Sequence, residues 1–183
     1  ALAEIGDKTQ LLSLVLAARY RAPWAISAGI FVATLFNHAL AAWVGESVFE
    51  WIGPDWMRWI VGLSFIAMAI WTLIPDRLDE DEENAAEKNL RRYGVFVMTT
   101  VIFFLLEMGD KTQLATVAMA AHYATPLTVV MGTTLGMLIA DVPAVLFGNF
   151  ASKAAQAPWV RYIAAVVFIG FGIWAALTAL GMV

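Results

Sequence analysis

The sequence predicts an all-α integral membrane protein, with six transmembrane helices arranged as two inverted three-helix repeats. Composition, the spacing of apolar runs and an internal duplication each point there. Of 183 residues, 61% are hydrophobic and 14% are charged. A soluble domain averages about 45–50% apolar and about 25% charged residues. Mean hydropathy is +0.75. Apolar runs near the length that crosses the hydrocarbon core fall at 24–45, 56–75, 94–121, 126–150 and 158–182. A sixth run, around 1–18, is shorter. No dyad alternation of the barrel kind is present, so the spans are helical.

The duplication fixes the order of the elements. Shifted by 103 residues, the chain aligns with itself without a gap. Glu4, Gly6, Asp7, Lys8, Thr9 and Gln10 fall on Glu107, Gly109, Asp110, Lys111, Thr112 and Gln113. Tyr20, Pro23, Gly29, Phe65 and Trp71 fall on Tyr123, Pro126, Gly132, Phe168 and Trp174. The first repeat covers 1–75, an acidic cytoplasmic linker 76–93, and the second repeat 94–183. Each copy holds three spans, and an odd number inverts the second copy in the bilayer, as in many secondary transporters. The second motif sits near the middle of its span. By the same rule the first span extends upstream of Ala1.

Basic residues orient the chain. Arg19, Arg21, Arg77, Lys88, Arg91, Arg92, Lys153 and Arg161 share one side, and Arg58 stands on the other. The first side is assigned to the cytoplasm, with both termini outside. Trp24, Trp56, Trp59 and Trp159 sit at span ends, where interfacial anchors belong.

The repeated EφGDKTQ, with φ apolar, is the chemistry of the chain. One charge at mid-bilayer costs about 2.5–3.5 kcal/mol on insertion scales, so these residues must face one another or water. Inverted repeats let the two motifs meet. Glu4, Asp7, Glu107 and Asp110 against Lys8 and Lys111 then leave two negative charges, which one divalent cation neutralises. Carboxylates, hydroxyls and amides are oxygen donors, suited to Mg²⁺, Ca²⁺ and Mn²⁺. The motifs hold no cysteine or histidine, which argues against Zn²⁺ and Cu⁺. Gln10 and Gln113 adjoin the aspartates, either as ligands or as interhelical hydrogen bonders. Thr9 and Thr112 point away from the glutamates on an unbroken helix and rank below the acids. Gly6 and Gly109 either break the helix or permit close packing. Clustered acids that hold either protons or a dication are the minimum machinery of an exchanger.

His38 and Asp141 occupy equivalent positions, with Asn37 beside the first. They form either a support for the site and a proton relay, or a satisfied polar contact. Pro143 is expected to kink its helix. The linker, with seven acids and four bases, reads as a solvated connector and a short surface helix. The absence of cysteine excludes disulfides and thiolate chemistry. No phosphate-binding glycine loop, Ser/His/Asp set or basic nucleic-acid face is present, and no resident cofactor is expected.

At EφGDKTQ the chain resembles the GDT-type cation/proton exchangers, once called uncharacterised protein family sixteen. That family includes bacterial manganese exporters and belongs to the lysine-exporter superfamily. Its signature is E-φ-G-D-[KR]-[ST], which Glu4 to Thr9 and Glu107 to Thr112 both fit. The resemblance implies a secondary transporter of a bacterial inner membrane. It would export Mn²⁺, with Ca²⁺ as a further substrate, in exchange for protons. It also implies that the acids of both motifs form the cation site. An amino-acid exporter of the same superfamily, or an enzyme acting on a lipid-linked phosphate, are the alternatives. The first wants an apolar pocket and a carboxylate receptor; the second wants arginines or serines beside the motif.

Overall fold

The computed structural model describes residues 4–5, 7–74, 80–123, 125–147 and 158–182, with backbone alone at 54–55, 80–93, 158 and 160. Gly6, Lys153 and the start of the acidic linker lie outside the described residues. All regular structure among them is helical: α1 Lys8–Tyr20, α2 Pro23–Ile52, α3 Pro54–Thr72, α4 Glu80–Glu107, α5 Lys111–Tyr123, α6 Pro126–Phe147 and α7 Pro158–Ala179.

Four of the seven helices begin at proline. Proline's fixed φ suits the first turn, where its missing N–H would have no partner anyway. Arg21 closes α1 in the left-handed region (φ 48°), and Gly53 (φ 80°) turns the chain between α2 and α3. Inside α4, Gly94 (φ 80°, ψ 168°) marks a kink. It separates the charged stretch from the apolar Gly94–Glu107. The linker is helical from Glu80 onward, and α6 runs on through Pro143.

Three helical stretches, Pro23–Ile52, Pro126–Phe147 and Arg161–Ala179, are long and apolar enough to cross a membrane. Trp56–Thr72 and Gly94–Glu107 are apolar but shorter. The expected span 94–121 is not one helix, because the chain breaks between Glu107 and Lys111.

The distribution of polarity is inside out. Trp24, Trp51, Trp56 and Leu127 are each more than 70% exposed, while Glu4, Asp7, Glu107, Asp110, Lys111 and Asp141 are buried. A surface of large apolar side chains around a charged interior suits hydrocarbon as the solvent.

Equivalent helices pack on each other: α2 lies against α6, and α3 against α7. α1 packs on α6 as α5 packs on α2. Phe65 and its counterpart Phe168 are in ring contact, with centroids 5.9 Å apart. Close approach of α3 and α7 depends on glycine. A Cβ on Gly172 would meet the Gly62 carbonyl oxygen at 3.0 Å and Ile66 at 2.8 Å. One apolar cluster joins Phe65, Met68, Ala118 and Phe168. A second joins Leu12, Ile30, Met98, Phe103 and Val145. The motifs lie at the ends of the half-helices between them.

Candidate cation site at two backbone breaks

The second motif interrupts a helix, and the described part of the first has the same local geometry. In the second, α4 ends at Glu107, and Gly109 takes φ 84°. Asp110 N–H donates to Glu107 O (3.1 Å), and α5 starts at Lys111. In the first, Asp7 N–H donates to Glu4 O (3.0 Å), and α1 starts at Lys8. A Cβ on Gly109 would meet nothing within 4 Å. Close packing therefore does not require glycine there, and the left-handed backbone does.

The break turns each threonine toward its acids. Thr9 Oγ1 donates to Asp7 Oδ2 (3.3 Å) and Glu4 Oε2 (3.5 Å). Thr112 Oγ1 donates to Asp110 Oδ2 (3.3 Å) and Glu107 Oε2 (3.4 Å). The expectation that the threonines point away from the glutamates is corrected, because it assumed a continuous helix.

The two motifs meet. Lys111 Nζ, from the second, lies 2.6 Å from Asp7 Oδ1 of the first. Glu4 Oε1 and Glu107 Oε1, equivalent atoms of the two copies, are buried with no hydrogen-bond donor among the described residues. A cavity of about 120 Å³ adjoins Glu4, lined also by His38, Thr112, Thr133, Met137 and Phe168 among others. Among the described residues no three acid or imidazole groups converge closely enough to hold one ion together. The Lys111–Asp7 pair takes up one of the carboxylates that would have to join them.

The glutamines tie helices together. Gln10 Nε2 donates to Ala140 O on α6 (3.0 Å). Gln113 Nε2 donates to Asn37 Oδ1 on α2 (2.8 Å), and its Oε1 accepts from Gly109 N–H (2.6 Å). Ala140 and Asn37 are equivalent positions, so the pattern repeats. Of the two roles open to the glutamines, the structure shows the interhelical one.

His38 and Asp141 are buried. His38 Nδ1 contacts Thr134 Oγ1 (3.4 Å), and Nε2 has no partner. Neither Asp141 oxygen has one among the described residues. The satisfied contact foreseen as one option for Asp141 is absent there. Lys8 is half-buried at the start of α1. Asn37, expected with His38 to support the site, bonds the Phe104 carbonyl and Gln113 across the second break, partners the sequence does not name. The repeat held the signal, since Gln113 recurs as Gln10 while Asn37 is replaced by Ala140.

A helical bundle with an apolar exterior, three helices long and apolar enough to cross a membrane, and buried acids in two like motifs fits a membrane protein. Residues 1–80 and 95–183 match the family described as "Divalent cation/proton antiporter GDT1", and the chain belongs to that family. The match leaves out most of the charged linker. A Vibrio cholerae protein named "Putative manganese exporter" is 50% identical over 170 residues, 92% of this chain and 82% of its own length. "GDT1-like protein 5" of Arabidopsis thaliana is 28% identical over 210 residues, covering 97% of this chain and 91% of its own. No solved structure matches.

Proposed function

We propose that the protein exports Mn²⁺ from a bacterial cell across the inner membrane in exchange for protons, with Ca²⁺ as a second substrate. The observation that carries the reading is the meeting of two acid motifs at helix breaks, each presenting one buried glutamate oxygen without a donor. Family membership supplies the class of activity. The name of the Vibrio cholerae relative supports manganese as the ion.

In this reading Glu4, Asp7, Glu107 and Asp110 bind the cation. Thr9 and Thr112 hold each glutamate–aspartate pair in register, and Gln10 and Gln113 fix the breaks. The Lys111 ammonium on Asp7 gives way to the incoming dication, so the lysine serves as an internal counter-charge. Both half-helix N-termini, at Lys8 and Lys111, begin at the site, as in discontinuous transporter helices. Protons take the place of the dication on the acids. His38 and Asp141, buried and short of partners, stand beside the site as proton acceptors.

The architecture proposed is six spans in two inverted repeats, 1–75 and 94–183, joined by the cytoplasmic linker 76–93, with both termini outside. The mutual packing of equivalent helices supports it, as does the Phe65–Phe168 contact. Alternating access follows from rocking one repeat against the other about the shared site.

Proteoliposomes loaded with a pH-sensitive dye test the function. Mn²⁺ flux should drive an opposite proton flux, labelled lysine should not be carried, and Asp110→Asn should abolish both ion movements. Mn²⁺ flux without a linked pH change would overturn the exchange reading.

A further inference from the structure

A broken helix loses backbone hydrogen bonds on both sides of the break. In α4, Met108 N–H turns to Leu105 O (3.3 Å). The Phe104 carbonyl is thereby deprived of its usual helical donor. Asn37 Nδ2, from α2, donates to that carbonyl instead (3.2 Å). Across the break, the Gly109 N–H donates to Gln113 Oε1 (2.6 Å). Gln113 Nε2 then donates to Asn37 Oδ1 (2.8 Å). One fully buried side chain on a third helix is thus bonded to the half-helix before the break and to the half-helix after it. In the first copy Ala140 stands where Asn37 would be, and Gln10 Nε2 donates to its backbone carbonyl.

We propose that Asn37 is a positioning residue that clamps the broken helix of the second motif and so holds Glu107, Asp110 and Thr112 in register for the cation. The inference rests on the reading of both motifs as the cation site. Asn37 does not touch the ion. It removes the freedom of α4 and α5 to swing about Gly109, whose N–H bonds a side chain in place of the backbone. Preorganised ligands bind more tightly because less order has to be created on binding. Supporting hydrogen-bond partners of metal ligands typically contribute a factor of about 10–100 in affinity. The second motif is thus held by a side-chain bond on each side of its break.

The test is radiolabelled Mn²⁺ uptake into proteoliposomes by the full-length protein. KM and maximal rate are compared for wild type, Asp110→Asn, Asn37→Leu and Asn37→Ala. Leucine keeps the branched shape of asparagine and removes both hydrogen bonds, and alanine controls for leucine's greater bulk. The expected result is a KM raised about 10–100-fold for Asn37→Leu, with the maximal rate little changed. A merely structural asparagine would lower the maximal rate by reducing the amount of active protein and leave KM alone, and that result overturns the proposal. Should Asn37→Leu fail to fold, Asn37→Ala is read the same way. Failure of the underlying site is distinct. It shows as absent uptake by wild type, or as wild-type uptake by Asp110→Asn, whatever Asn37 does.

Discussion

Thr9 and Thr112 carry the clearest residue-level lesson. On a straight helix they face away from the glutamates five positions removed, and the sequence alone ranks them low. With the chain broken between, each hydroxyl reaches both acids of its own motif. The carboxylates, in contrast, were legible because unpaired mid-membrane charges have no cheap resting place. Thr112→Val keeps the shape and removes the donor. It should weaken Mn²⁺ binding by about tenfold, read by titration of the purified protein; unchanged affinity would remove the threonine from the site. Lys111 offers a second test. It lies 2.6 Å from Asp7 with both side chains buried. Breaking a buried pair by removing one partner destabilises by about 3–5 kcal/mol. Lys111→Met should therefore unfold at lower temperature, and saturating Mn²⁺ should recover more stability in the variant than in wild type. Equal Mn²⁺ stabilisation of both would deny that lysine and cation compete for Asp7.

At the scale of the element, what matters is the helix that stops and restarts. Composition and run length placed a span near 94–121, but hydropathy does not see backbone angles. Gly109 carried the only hint, and its two readings stood equal until φ was known. The value is 84°, with open space where a Cβ would sit. Gly109→Ala should therefore cost about 1–2 kcal/mol from left-handed strain alone, measured by denaturant unfolding in detergent. Gly29→Ala acts by another route. Its Cβ would lie 2.8 Å from Thr99 Cβ and 2.9 Å from the Phe96 carbonyl oxygen, so its cost comes from separating α2 and α4. If Gly109→Ala proved as stable as wild type, the break would not need glycine. The Asn37 bonds stayed hidden in the sequence because they depend on a tertiary approach of α2 to both half-helices.

For the molecule as a whole, the duplication was the most informative feature. A 103-residue self-match pairs the helices of the two halves, and two of those pairs, α2 with α6 and α3 with α7, pack on one another. Physical necessity explains why this much was readable: a chain with 61% hydrophobic residues must turn apolar faces outward in a membrane and gather its charges at few points. The identity of the partner groups was not readable. Whether Lys111 would meet Asp7 or a residue of its own motif depends on how the halves dock.

The most direct test of one shared site is the stoichiometry of Mn²⁺ binding, measured by the loss of the free-ion electron paramagnetic resonance signal. The account predicts one Mn²⁺ per chain, with binding lost on either Glu4→Gln or Glu107→Gln alone. Two ions per chain, each removed only by the change in its own motif, would contradict it.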